Sequence, residues 1–498
     1  MIRQMSLEEL RSDIAEKHMP LETHSARVQA GSVFVILPAA LPRGQEYREP
    51  GGEQYLAAAL ANKPFAVVGH PKYLPLAESL GAECFYVCTE DPREALGQLA
   101  QSYYGTATRC PRLVGITGTN GKTTETYLLE ALYKSLGMKV GVLGTVSYRW
   151  PGHEEDAPLT TPSCLLLHSM LAEMYDAGVE IAFMEVSSHA LDQDRVAGLN
   201  FSGALLTNLT QDHLDYHSDM EEYFASKARL FRPVAGGGVP YDGKVAALNA
   251  DDPYSRRLLA EKKGFFAFGM EQNPVAGSRH VSGKILSMSP QGLRLAMEFE
   301  GQCWELATPL VGSFNVMNLL GAQALGLALG LGPDDFGALA SFTGVSGRLE
   351  RILNTRGLNA FVDYAHTPDA LVKAISALRS AGFARIITVF GCGGNRDKTK
   401  RPLMGKAVAG LTDIAVLTSD NPRDEDPRSI MDDVLPGLKD CRQVIEEVDR
   451  KKALALAAGL LGPEDALLVA GKGHETYQLI QGIKHPFSDQ AILKELLS

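Results

Sequence analysis

The sequence predicts an α/β protein of three domains: a smaller N-terminal α/β domain, a central domain on a P-loop-type parallel sheet, and a C-terminal Rossmann-like, doubly wound domain. Three observations predict it. The chain has 498 residues, more than one hydrophobic core serves. Short continuous apolar runs alternate with helical patterns, as in parallel sheets buried on both faces. Polar turns, many with glycine, follow those runs at the carboxyl ends, where open α/β sheets bind ligands.

Composition narrows the function classes. Apolar residues make up 45% and charged residues 21%, as in soluble globular proteins. Lys and Arg number 48 against 59 Asp and Glu, a net charge of −11, so a nucleic-acid partner with its basic footprint is not expected. The seven cysteines are scattered and odd in number, which argues against a disulfide framework. Cys84 and Cys88 are close, but no second Cys/His pair lies nearby to complete a zinc site. The start, MIRQMSLEELRSDIAEKH, is a polar helical pattern without a signal-peptide core, and no window approaches ~18 uninterrupted apolar residues. A cytoplasmic monomer with no membrane partner is expected.

The elements fall in order. Residues 1–109 carry the strand candidates SVFVIL and PFAVVG, separated by a loop rich in Pro, Gly and Glu. The central region, 110–345, opens with RLVGITGTNGKTT, where an apolar run feeds a Gly-rich turn and a helix that stops at Gly137. Further strands are KVGVLGTV, EIAFMEVSS, GALLTNL and KVAALN, and the region closes with the small-residue helix NVMNLLGAQALGLALGLG. The third region, 346–498, repeats the alternation with NAFVDYA, ARIITVFG, DIAVLTS and DALLVAG.

The turns carry the chemistry. In Gly118–Thr124 (GTNGKTT), glycines let backbone N–H groups approach phosphate oxygens at a helix N-terminus; Gly118, Thr119, Asn120, Gly121 and Thr124 would cradle nucleotide phosphates. Lys122 can reach the β- and γ-phosphates and the Thr123 hydroxyl can bind Mg²⁺. Ile116 stands where the commonest phosphate-loop pattern has Gly. Glu185, delivered by the strand of MEVSSHALDQDR, is a natural Mg²⁺ ligand, or its loop is a polar helix cap. NLTQDHLDYH crowds Asp212, His213 and Asp215, and read alone it is a solvated turn. Lys227, in ASKARLF, reads alone as a surface helix lysine. FVDYAHTPDAL, GCGGNRDKTKRP, SDNPRDEDP and GKGHE are further polar turns; several following strands of one sheet would line one edge together.

In order along nearly the whole chain, TGTNGKTT, EVSSHAL, NLTQDHLD, GSFNVMNLLGA, GRLE, VDYAHTPDAL, GCGGNRDKTKRP, DNPR and GKGHE resemble the Mur ligase family. The likeness is greatest to its MurE branch, which adds the third peptide residue to UDP-N-acetylmuramoyl-L-alanyl-D-glutamate in peptidoglycan precursor synthesis. The resemblance implies an N-terminal domain for the uridine nucleotide, a central domain for ATP and a C-terminal domain for the incoming amino acid. It implies a carbamylated lysine at Lys227, formed with CO₂, and metal ligation by Thr123, Glu185, His213 and Lys227, with Lys122, His213 and Lys227 as the catalytic set. Thr160, Thr161, Ser187, Gln193 and Arg195 are implied to touch the UDP-sugar-peptide, and Asn315, Arg348, Asp363 and His366 the adenine nucleotide or the closure between domains. Ser25 matches the family's uridine motif, but His24 and Ala26 stand where the family has Asp and Arg, and the next loop, PAALPRGQEY, lacks its usual His-rich pattern.

A carboxylate is a poor electrophile, so such a ligase converts it to an acyl phosphate with ATP before the amine attacks; positioning and charge neutralisation suffice. The amine follows from DNPR. Meso-diaminopimelate ends in an ammonium–carboxylate pair and L-lysine in an ammonium alone. Arg423 offers a planar fork for a carboxylate, Arg396 a second cation and Glu475 an acceptor for the ammonium, with Asp420, Asn421, Pro422 and Gly471 shaping the site. Diaminopimelate is therefore favoured over lysine. The competing readings are a lysine-adding ligase, a folylpolyglutamate synthase-like ligase, a non-ligating P-loop ATPase and a nucleotide-binding relative that no longer ligates.

Overall fold

A computed structural model describes residues 2–42, 53–81, 83–232, 245–270 and 275–498. Of the loop PAALPRGQEY, residues 43–47 lie outside the described residues. The chain divides into two compact units: Met1–Val281 with Gly321–Asp335, and Ser282–Leu320 with Phe336–Ser498. The first unit thus takes in the expected N-terminal domain and most of the expected central one.

The first unit begins with β1 (Arg3–Gln4), β2 (Leu21–Glu22), β3 (Val33–Val35), β4 (Ala66–Gly69) and β5 (Phe85–Cys88). They form a parallel sheet in the order β1-β5-β4-β3-β2. The opening helix, Leu7–Lys17, starts at a capping box in which Ser6 and Glu9 satisfy each other's backbone N–H groups. It buries Leu10 and Ile14 in a core shared with Val33, Val68, Leu96 and Leu99, the last two from helix Pro92–Tyr104. That helix is seated on the loop after Asp194. Gly97 lies so close to the Ala197 backbone that a Cβ would come within 2.5 Å of it, and Gln101 Nε2 donates to Gly198 O at 2.7 Å.

The same unit continues with β6 (Arg112–Thr117), β7 (Val140–Leu143), β8 (Ser147–Trp150), β9 (His153–Asp156), β10 (Ile181–Glu185), β11 (Gly203–Leu206), β12 (Ala246–Asn249) and β13 (Phe266–Gly269). Their order is β13-β12-β11-β6-β10-β7-β8-β9. The six strands β6, β7 and β10–β13 are parallel and, but for exposed Arg112, buried, as their continuous apolar runs require. The antiparallel β7-β8-β9 extension departs from the expected strand–helix alternation.

β14 (Arg279–Ser289) leads into the second unit, where β15 (Gly292–Phe299) and β16 (Gln302–Thr308) make an antiparallel ribbon. Then follow β17 (Glu350–Ile352), β18 (Asn359–Asp363), β19 (Ile386–Phe390), β20 (Ile414–Leu417), β21 (Val444–Glu446), β22 (Ala466–Ala470) and a hairpin of β23 (Tyr477–Ile480) and β24 (Ile483–Pro486). The sheet order is β17-β18-β22-β19-β20-β21, parallel except for β17. Separate apolar cores on its two faces, around Phe361 and Leu378 and around Val362 and Leu454, make it doubly wound. Among the described residues no helix is long and apolar enough to cross a membrane.

Candidate functional site

The phosphate loop sits between the end of β6 and helix Lys122–Ser135. Gly118 and Gly121 have φ of 140° and 91°, and a Cβ on Gly118 would overlap the Thr207 hydroxyl, so glycine is demanded there twice over. The turn after β11 braces the loop: Thr119 N donates to Asn208 O (2.9 Å), Asn120 N to Asn208 Oδ1 (3.0 Å) and Thr207 Oγ1 to Asn120 O (2.6 Å). NLTQDHLD is therefore the wall of the phosphate loop as well as a polar turn. Lys122 Nζ donates to Gly118 O and Thr119 O at 2.9 and 3.0 Å, folded back over the turn it would serve.

Glu185 ends β10, 1% exposed, and accepts from Thr123 Oγ1 (3.1 Å), Thr145 N (2.8 Å) and Thr145 Oγ1 (3.0 Å). A hydroxyl and a carboxylate together beside a phosphate loop fit Mg²⁺, which keeps phosphate and water oxygens as its other ligands. Among the described residues no three His, Cys, Asp or Glu side chains converge on a ready-made cage. Lys227 is not the surface lysine that its helix alone suggests: it is 2% exposed, donating to Gly118 O at 3.0 Å and Thr117 Oγ1 at 3.5 Å. Burial, and then the like charge of Lys122, hold its amine well below the ordinary lysine range. His213 sits at a φ of 53° and contacts Asp212, His189 and Tyr223. Its imidazole is pushed down by burial, with Lys227 and Lys122 adding to the effect against Asp212.

A hydrogen-bonded chain runs from that centre to the expected acceptor contacts. Thr145 Oγ1 meets Thr160 Oγ1 at 3.2 Å, Thr161 Oγ1 donates to Glu185 O (2.9 Å), and Ser187 N donates to Thr161 Oγ1 (3.1 Å). Ser187 also caps the helix Ser188–Asp192, its hydroxyl accepting from Ala190 N. Arg195 bonds Thr161 O (3.3 Å) and Gln193 Oε1 (2.9 Å). Ser25 is buried in a 3₁₀ turn that His24 caps by accepting from Ala26 N at 3.3 Å.

In the second unit the loops after β19, β20 and β22, three adjacent parallel strands, lie together. Gly394 N donates to Asn421 O (2.9 Å) and Arg423 Nη1 to Gly394 O (2.8 Å). Gly471, at a φ of 115°, leaves no room for a Cβ beside the Asp420 carboxylate. Burial raises the Asp420 pKa above the usual aspartate value, against the pull of Arg450 and Lys472. Arg423, also at positive φ (53°), is pinned through its backbone to Leu479 and Gln481. Arg396 is exposed. Glu475, expected to accept the ammonium, takes Asn421 Nδ2 (2.9 Å) and Lys472 Nζ (3.1 Å) on its Oε2. Sequence reasoning missed Lys472, fully buried, and Arg401, 1% exposed, which grips Glu425 with both terminal nitrogens and so anchors the DNPRDE turn. The only signal for them was their place inside the motifs GKGHE and KRP.

Also in this unit, Asp363 accepts from Leu349 N (2.6 Å) and Ala365 N (2.7 Å), tying the turn before β17 to the end of β18. Burial, the largest cause, raises its pKa. The Arg348 guanidinium lies 5.2 Å from the Tyr364 ring centre, and His366 Nδ1 is 2.8 Å from Tyr364 O. Asn315 is on the separate helix Ser313–Ala328, bonded to Val311 O and Asn318.

Comparison with known proteins bears on the family. The pattern of the Mur ligase middle domain matches residues 116–326, and that of the Mur ligase glutamate ligase domain matches 347–473. A UDP-N-acetylmuramoyl-L-alanyl-D-glutamate–2,6-diaminopimelate ligase of Lawsonia intracellularis is 52% identical over 491 residues, 99% of this chain and 98% of that protein. The protein of the same name from Aquifex aeolicus is 42% identical over 98% of this chain and 95% of its own. A solved structure under that name superposes with a TM-score of 0.68 at 31% identity, covering 96% of this chain and 94% of the other. A Mycobacterium tuberculosis folylpolyglutamate synthase, 19% identical with a TM-score of 0.56, shares the fold over 76% of this chain and 92% of its own. Matched along almost its whole length and carrying the phosphate loop in place, the chain belongs to the Mur ligase family of ATP-dependent ligases.

Proposed function

We propose that this ligase adds meso-diaminopimelate to UDP-N-acetylmuramoyl-L-alanyl-D-glutamate, with ATP and Mg²⁺, in cytoplasmic peptidoglycan precursor synthesis. The observation that carries the choice of amine is Arg423. Its guanidinium has no carboxylate partner among the described residues, while the neighbouring cations Lys472 and Arg401 do. A ligand carboxylate beside an ammonium group complements that loop; the single ammonium of lysine does not. The relatives' shared name gives the same substrate pair.

The backbone N–H groups of Gly118–Thr124 and Lys122 hold the ATP phosphates and neutralise the γ-phosphoryl group as it moves to a carboxylate of the D-glutamyl residue. Thr160, Thr161, Ser187, Gln193 and Arg195 hold that acceptor. The diaminopimelate amine then attacks the acyl phosphate carbon and inorganic phosphate leaves. Mg²⁺, held by Thr123 and Glu185 with His213 and Lys227 contributing, would supply charge neutralisation at the transferring phosphoryl group.

Lys227 is read as carbamylated because a buried ammonium beside a phosphate and cation site is repelled by the metal, whereas the carbamate adds an anionic oxygen donor. Intact mass measured without acid should exceed the sequence mass by one CO₂. Loss of Lys227 with no loss of that increment would remove this assignment. For the reaction itself, phosphate release should require both the UDP-dipeptide and the amino acid, and diaminopimelate should turn over faster than L-lysine. Faster ligation of lysine would overturn the choice of amine, and release with ATP alone would indicate an ATPase.

A further inference from the structure

The first unit contains a cavity of about 170 Å³ lined by two arginines, Arg93 and Arg195. Leu37, Pro38, Leu96 and Cys164 supply apolar walls. Arg195 is already among the expected acceptor contacts. Arg93 is not: it lies on helix Pro92–Tyr104, within the part of the chain that resembles a uridine-nucleotide domain, and in sequence it looks like any helix arginine.

Its surroundings give a structural role little support. Arg93 is 7% exposed and forms no ion pair among the described residues. Among the described residues its one side-chain hydrogen bond runs from Nη2 to Ala39 O at 2.6 Å, which uses one donor of a five-donor fork. It is the second residue of its helix, where the dipole disfavours a cation; the Asp91 cap spends its carboxylate on the Arg93 and Glu94 backbone N–H groups. The nearest acidic residues of the cavity loop are engaged elsewhere. Asp194 pairs with Arg229, and Asp192 accepts from Tyr216. Arg195 likewise bonds a carbonyl and an amide oxygen, and no carboxylate among the described residues. A buried and a half-buried guanidinium facing one cavity, with no carboxylate paired to either among the described residues, are costly unless a ligand brings the negative charge. The two are near enough to feel one another: burial first, and Arg93 in part, depress Arg195.

We infer that Arg93 is a further substrate-binding residue, which with Arg195 clamps an anionic oxygen group of the nucleotide-linked acceptor. The inference rests on the acceptor being the UDP-muramoyl dipeptide, which carries such groups as a diphosphate and as carboxylates.

Arg93→Gln and Arg93→Lys are compared with the unaltered enzyme in the ligation assay and by calorimetric titration with uridine, UDP and the full UDP-dipeptide. For Arg93→Gln, KM for the UDP-dipeptide should rise at least ~10-fold, the scale of one lost charged hydrogen bond. KM for ATP and for the amino acid should stay unchanged, and Arg93→Lys should recover part of the loss. Should UDP binding weaken in step while uridine binding is unaltered, the diphosphate is the anion. Should only the UDP-dipeptide lose affinity, it is a carboxylate. Equal weakening of all three ligands, uridine included, would mean that Arg93 merely props the Ala39 segment, and the inference falls; it falls also if neither variant changes KM or affinity. The titrations need no turnover, so an enzyme that fails to ligate diaminopimelate would refute the proposed reaction without deciding the role of Arg93.

Discussion

The two loop clusters treat cations differently. In the first unit Lys227 is buried with a carbonyl, a hydroxyl and the Tyr223 ring as its partners among the described residues, and Lys122 folds onto carbonyls of the same loop. In the second unit the buried cations are matched to carboxylates: Lys472 to Glu475, Arg401 to Glu425 and Asp433, Arg450 to Asp489. Arg423, half-buried in the same loop cluster, has no such partner among the described residues and bonds only carbonyls there. On the proposed function, the difference follows the ligand. A nucleotide triphosphate brings several negative charges, so a cluster that holds it can bury a cation such as Lys227 with no ion pair among the described residues. A zwitterionic amino acid brings almost no net charge, so its cluster must be neutral except at the one point that reads a carboxylate.

The largest effect should come from breaking the first cluster. Lys122→Ala removes a charge that acts on the phosphoryl group as it transfers, so kcat should fall about 10²–10³-fold, as for loss of one preorganised donor in an active site. KM for the amino acid should barely change. Steady-state kinetics with each substrate varied in turn checks this; a loss confined to KM for ATP would make Lys122 a binding group only.

Arg423→Ala should have a smaller and selective effect. Losing one charge-assisted contact costs about 1–3 kcal/mol, or roughly 5- to 150-fold in kcat/KM for diaminopimelate. The weak reaction with lysine should hold or improve, because the like charge is gone. An equal loss with both amino acids would mean that the Arg423–Gly394 hydrogen bond merely braces the loop.

Much of this contrast was legible in the sequence, because strand ends are. Runs such as RLVGIT and DIAVLT stop at polar turns, and parallel topology brings those turns to one edge. The ribbon β14–β16 was not read, because its burial alternates along the strand and its runs are therefore broken. Burial of charge was also illegible. Lys227, Lys472, Arg401 and Arg93 lie on helices or turns whose local patterns suit exposed cations, and only packing from distant segments covers them. The exposed Arg396 and the occupied Glu475 oxygen show the converse: a motif position does not reveal which partner has already taken a side chain.

Glu125 sharpens the comparison by inverting it. It lies in the first turn of the phosphate-loop helix, where a carboxylate suits the dipole, yet it is fully buried and neither oxygen has a partner among the described residues. The packing is tight, since a Cβ on Gly321 would overlap Glu125 Oε1. Glu185, equally buried, keeps three donors. Burial holds the Glu125 carboxyl well above the ordinary value of 4.5. Above that ordinary value the unfolded chain releases a proton that the native state still binds, so this group's contribution to stability declines as pH rises, until the native carboxyl itself ionises. Glu125→Gln keeps the shape and abolishes the titration. The variant should therefore gain on the unaltered protein in melting temperature as pH is raised from about 5 to 8, and the two should converge at acid pH. Parallel melting curves across that range would show that the native state supplies Glu125 with a compensating donor, and the contrast with Glu185 would disappear.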